Sequence, residues 1–123
     1  MATETFKYPE TTNYIAGKPV NGTPKKMDVR SPLDGSIIST VALSTAKDLD
    51  VAVKAAEAAF PAWSGTPIKE RSQIFFRYRE LLSKNREELA LLVHTENGKT
   101  MDESYAEVDK SMELCEFACS LPQ

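Results

Sequence analysis

The sequence predicts a segment that opens with two β-hairpins, over about residues 14–42, and continues with about four amphipathic helices, over about residues 46–119. Three observations predict this. Pro9, Gly17, Pro19, Gly22, Pro24, Pro32 and Gly35 crowd the first 35 residues, whereas after Pro67 only Gly98 and Pro122 remain. Turn residues in the first third are flanked by short apolar and β-branched runs, the pattern of hairpins. From Thr45 onward apolar residues recur every three or four positions, the spacing that lines up one face of an α-helix.

Residues 1–13 read as an N-terminal tail. The first hairpin has Tyr14-Ile15 and Val20 on either side of a turn at Ala16-Gly17-Lys18. Pro19 lacks an N–H to donate to a ladder, so its arm is expected to be an edge or a very short strand. The second hairpin runs from Met27–Ser31 to Ile37–Val41 around Pro32-Leu33-Asp34-Gly35. Asp-Gly supplies the positive φ that a tight turn requires. Two-stranded hairpins are marginal alone in water, so both need covering.

The first helix opens at Thr45, with Asp48 placed to close a cap, and presents Leu49, Ala52, Val53, Ala56 and Phe60 on one face until Pro61 stops it. The second opens at Thr66-Pro67, a cap followed by proline in the first helical position, and carries the stripe Ile74, Phe75, Tyr78, Leu81 and Leu82. The third opens at Asn85 with Glu88 in capping-box position, shows Leu89, Leu92 and Val93, and ends at Asn97-Gly98. The fourth opens at Thr100 with Glu103, another capping box. Met101, Tyr105, Val108, Met112, Cys115 and Cys119 follow at alternating steps of four and three, a narrow heptad-like seam. These helices offer apolar faces that call for a sheet, yet no strong central strand exists in the sequence. The segment is therefore expected to be an incomplete portion of a larger domain.

Composition narrows the function classes. The 123 residues are 41% hydrophobic and 27% charged, with a formal net charge of -3. Acidic and basic residues interleave, as in Lys84-Asn85-Arg86-Glu87-Glu88, so no basic patch exists to grip nucleic acid. A helix-turn-helix reading at Ser83-Lys84-Asn85 fails for the same reason. The start, Met1-Ala2-Thr3-Glu4-Thr5, is neither a signal nor a transit peptide, and no apolar run reaches membrane-spanning length. A cytoplasmic protein is expected, with Cys115 and Cys119 reduced. Asn21-Gly22-Thr23 matches a glycosylation acceptor by accident only.

The candidate motifs are weak. Gly98-Lys99-Thr100 matches the tail of a phosphate-binding loop, but Val93 stands where that loop needs glycine and a helix precedes it. A glycine helix stop followed by a new cap explains it better. The five glycines never make G-x-G-x-x-G, so no dinucleotide fingerprint is present. Cys115 and Cys119 share a helical face but lack further ligands for zinc and a nearby base for nucleophilic work. His94 is expected at the surface, facing away from its helix's apolar stripe. Glu87, Glu88, Glu103, Glu107 and Glu113 fit first turns or solvated faces. Trp63 either lines a ligand site or fills a gap beside its helix.

Several words resemble the aldehyde dehydrogenase family. Tyr14-Ile15-Ala16-Gly17-Lys18 and Ser31-Pro32-Leu33-Asp34-Gly35-Ser36-Ile37-Ile38 are similar to its first two hairpins. Ala55-Ala56-Glu57-Ala58-Ala59-Phe60-Pro61-Ala62-Trp63 resembles its first helix and Ala-Phe-x-x-Trp exit, with Arg71 and Leu81-Leu82 where the next helix carries them. Thr95-Glu96-Asn97-Gly98-Lys99-Thr100 resembles its Glu-x-Gly-Lys junction. Pro32–Gly35, Thr66-Pro67-Ile68-Lys69-Glu70-Arg71 and Glu116-Phe117-Ala118-Cys119-Ser120-Leu121-Pro122-Gln123 are similar to methylmalonate-semialdehyde dehydrogenases.

The resemblance implies an α/β parent fold with a Rossmann-like NAD domain, of which residues 14–123 are the N-terminal part. It implies NAD and CoA as cofactors, an aldehyde substrate, a cysteine nucleophile and a homotetrameric parent. The product would be an acyl-CoA, with loss of carbon dioxide, in valine, thymine or inositol breakdown. In the family the nucleophile, the oxyanion asparagine and the adenosine-binding loops lie beyond the position of Gln123. No catalytic, cofactor-binding or metal residue is therefore carried onto this chain, and the chain alone is expected to be inactive. The rival expectation is a non-catalytic helical module whose Met101–Cys119 seam pairs with a second copy or with a full-length relative.

Overall fold

The computed structural model describes residues 6–20 and 25–121. Met1–Thr5, the Asn21-Gly22-Thr23 acceptor, Pro24 and Pro122-Gln123 lie outside them. The chain divides into two compact units, Met1–Ser64 and Gly65–Gln123.

In the first unit, β1 (Asn13–Ile15) pairs antiparallel with β2 (Lys18–Val20), with Tyr14 opposite Pro19. Only Ala16 and Gly17 connect them, at φ 53° and 79°. Two consecutive positive φ values make the two-residue turn whose twist matches paired strands. Lys18, expected in the turn, is thus the first residue of β2. The Tyr14 hydroxyl donates to the Gly17 carbonyl at 2.8 Å and fastens the turn.

β3 (Lys26–Arg30) pairs antiparallel with β4 (Ile37–Ala42), with an irregularity between Val29 and Arg30. Ser31 leaves the strand and shapes the connection. Its N–H donates to the Ser36 carbonyl, its carbonyl accepts from Gly35, and its hydroxyl accepts from the Leu33 N–H. Asp34 accepts from both the N–H and the hydroxyl of Ser36, an Asx-turn that holds its carboxyl below the usual range.

The stretch expected to be a tail is tied to β4 over part of its length. The Tyr8 N–H donates to Ile38, the Thr11 N–H donates to Thr40, and the Ala42 N–H donates to the Thr11 carbonyl. Thr11 bridges Val41 in parallel sense. The Ser39 hydroxyl donates to the Pro9 carbonyl at 2.7 Å. With β3 on one edge and residues 8–11 along the other, β4 is the best-covered strand, and Ile38, Ser39 and Ala42 are buried.

α1 (Ala46–Gly65) corrects the expected stop at Pro61, because the helix runs through that proline. Proline removes one donor, the bond that would reach the Glu57 carbonyl, but leaves the donors after it intact. The Ser64 hydroxyl also donates to the Pro61 carbonyl, supporting the last turn. No residue of α1 is buried, and Leu49 and Phe60 of its expected apolar face are 64% and 65% exposed.

The second unit holds α2 (Ile68–Lys84), α3 (Arg86–Asn97) and α4 (Met101–Ser120). α4 packs against both α2 and α3. At the start of α2, Pro67 occupies the cap position with ψ 140° instead of the first helical position, one residue from expectation. Its carbonyl accepts from the N–H groups of Glu70 and Arg71. The expected box at Asn85 and Glu88 does not form. Asn85 both ends α2 and begins α3, and its side-chain amide donates back to the Leu81 carbonyl at 2.8 Å. That bond engages the cap side chain with the helix before it.

The remaining boundaries match expectation. Gly98 caps α3 at φ 73°, with its N–H on the His94 carbonyl. A left-handed cap of this kind costs glycine little and any other residue more. The Thr100–Glu103 box is closed in both directions.

The core of this unit is built largely from small side chains. Ala90, Val108 and Cys115 are its buried apolar residues, joined by Ser72, Thr95 and Ser104. Each hydroxyl donates to a carbonyl one turn back: Ser72 to Lys69, Thr95 to Leu91 and Ser104 to Thr100, each at 2.8 Å. Their burial therefore leaves no donor unmet. Small residues at these points allow helix axes to approach closely.

Candidate functional site

Chemistry at a helix start depends on free N–H donors and the positive end of the dipole. At the starts of α1 and α4 the chain's own carboxylates take one of these donors each. Asp48 accepts from the Thr45 N–H and hydroxyl, each at 2.7 Å, and Glu103 accepts from the same groups of Thr100 at 2.9 Å. Both carboxyls are held below their usual range, chiefly by the threonine backbone bond. α3 opens with Glu87 and Glu88 in its first turn. Negative charge already stands in the first turn of each of these three helices.

The Gly98-Lys99-Thr100 junction is organised as a helix stop and restart. Lys99 pairs through its ammonium with Glu107, and its carbonyl accepts from Nδ1 of His94 at 2.6 Å. His94, expected at the surface, is half-buried and holds this junction, because an imidazole N–H donor satisfies a carbonyl that neither helix uses.

The heptad-like seam of α4 is packed within the second unit: Val108 and Cys115 are buried, and Met101, Tyr105, Met112 and Cys119 are half-buried. Cys115 and Cys119 are free thiols. Two ion pairs fasten this packing. Arg79 meets Glu116 at 2.7 Å. Arg86 grips both oxygens of Asp109, at 2.6 and 2.7 Å, with its guanidinium 4.3 Å from the Tyr105 ring centroid. The guanidinium fork holds the Asp109 carboxyl below its usual range and raises Arg86 in return. Among the described residues no three His, Cys, Asp or Glu side chains form a set that would hold a metal. No helix there is long and apolar enough to cross a membrane. Glu113 pairs with Lys110 on a solvated face. Trp63 sits in the last turn of α1, half exposed, rather than beyond the helix.

The feature that stands out is apolar surface. On the second unit, Tyr78, Leu82, Leu89, Leu92 and Val93, with Glu107, Val108 and Ser111 of α4, line an open hollow of about 330 Å³. A second, of about 350 Å³, shares most of those residues and adds Leu81. Of the α2 stripe read from the sequence, Ile74, Phe75, Tyr78 and Leu81 are exposed and Leu82 is half-buried. Contiguous apolar surface of this kind marks a place where something else packs. The sequence showed the α2 stripe and the α3 face separately. Packing of both helices on α4 brings the two faces to one hollow.

Comparison with known proteins gives the setting. Residues 20–123 match the family model described as the aldehyde dehydrogenase family. Malonate-semialdehyde dehydrogenase 1 of Geobacillus thermodenitrificans is 44% identical over 111 residues, which are 89% of this chain and 23% of that protein. A structure from Sinorhizobium meliloti 1021, assigned as a methylmalonate-semialdehyde dehydrogenase and complexed with NAD, superposes with a TM-score of 0.90 at 35% identity. The match covers 98% of this chain and 24% of that one. Methylmalonate-semialdehyde dehydrogenase from Oceanimonas doudoroffii superposes with a TM-score of 0.89 at 30% identity, over 94% of this chain and 24% of that one. The chain thus spans about a quarter of the length of these relatives.

Proposed function

The chain belongs to the aldehyde dehydrogenase family, and from that premise we propose that it is the N-terminal segment of an NAD-dependent, CoA-acylating malonate- or methylmalonate-semialdehyde dehydrogenase. The observation that carries this reading is the 44% identity to a malonate-semialdehyde dehydrogenase across 89% of the chain. The reaction of the whole enzyme is the oxidation of malonate semialdehyde by NAD with transfer of the acyl group to CoA. Carbon dioxide is lost, and acetyl-CoA and NADH result. The methyl-substituted aldehyde yields propionyl-CoA, as valine or thymine breakdown requires. The enzyme acts as a homo-oligomer in the cytoplasm, where Cys115 and Cys119 stay reduced.

The segment is assigned no contact with NAD in this reading. The starts of α1 and α4 carry Asp48 and Glu103, whose carboxylates take the Thr45 and Thr100 N–H groups and disfavour a second anion there. The role of the segment is structural: its exposed apolar groove receives the remainder of the polypeptide. The 123 residues alone carry no dehydrogenase activity.

The test is an assay of the full polypeptide that bears this segment, given malonate semialdehyde and NAD. The reading expects NADH, acetyl-CoA and carbon dioxide in equal amounts, with turnover dependent on CoA. Malonate as product, with no need for CoA, would assign a hydrolytic aldehyde dehydrogenase instead. NADH formed by the isolated 123 residues would overturn the structural role.

A further inference from the structure

We draw no further inference here: the strongest candidate, the apolar groove of Tyr78, Leu81, Leu82, Leu89 and Leu92 along α2 and α3, carries nothing beyond the structural role already proposed, because nothing in the structure shows what covers it.

Discussion

Replacing Leu81 by alanine in the full polypeptide tests whether the α2–α3 groove is a receiving surface. Full burial of a leucine is worth about 1.5–3 kcal/mol. Leu81 is 55% exposed, so less than half of that is realised within this segment. Truncation should therefore cost about 1 kcal/mol if the groove stays open to water. If another part of the polypeptide packs into it, Leu81→Ala leaves a cavity and costs about 2–5 kcal/mol. Val108→Ala is the internal standard. Val108 is 5% exposed in this segment and already buried at the wall of the same hollow, so losing two methyl carbons there costs about 2 kcal/mol before anything further packs on it. Urea unfolding of the wild-type and variant polypeptides, followed by circular dichroism, reads both effects. The account expects Leu81→Ala to cost at least as much as Val108→Ala. A Leu81→Ala cost near 1 kcal/mol, below that of Val108→Ala, would refute the receiving role.

Other perturbations probe the local devices. Thr100→Ala removes the α4 cap and should cost about 1 kcal/mol, read as a lowered unfolding midpoint. Glu103 and Asp48 titrate below their ordinary 4.5 and 3.8 when folded, so their contribution to stability is complete above those values. It is lost as pH falls through the depressed folded values, and Glu103→Gln, which removes one of the two carboxyls, should show a shallower acid loss than wild type. Arg86→Lys keeps the charge but loses the two-pronged grip on Asp109 and the stacking over Tyr105, so the melting temperature should fall despite the conservative change. Pro61→Ala restores a helical donor inside α1 and should raise stability by up to about 3 kcal/mol, visible as a higher midpoint.

What the sequence made legible were features whose signal is local. The Ala16-Gly17 turn, the Asp34-Gly35 connection, the Gly98 stop and the Thr100–Glu103 box each depend on residues within a few positions. The α4 seam was legible because a strict spacing survives wherever the partner lies. Pro61 misled because proline stops a helix only when the chain after it gains nothing by continuing, and Ala62 to Gly65 stay helical. Asn85 misled because two helices compete for one cap side chain and the earlier one holds it.

The pairing of residues 8–11 along β4 left no mark in the sequence. Tyr8-Pro9-Glu10-Thr11 engages β4 mainly through backbone groups, which every residue carries. The small-residue core at Ser72, Ala90 and Ser104 was equally hidden, since a serine that bonds its own helix reads as a surface residue. The groove combines two faces that are separately ordinary. The family came from whole words, Pro32–Gly35 and Glu96–Thr100 among them, rather than from any catalytic residue.

Reading the coding DNA through and past the codon for Gln123 tests most directly that this chain is the opening segment of a CoA-acylating dehydrogenase. The account predicts that the frame continues into strand-forming sequence able to fill the α2–α3 groove and then to a cysteine nucleophile. A stop codon directly after Gln123 would contradict it and remove aldehyde oxidation from the protein's description.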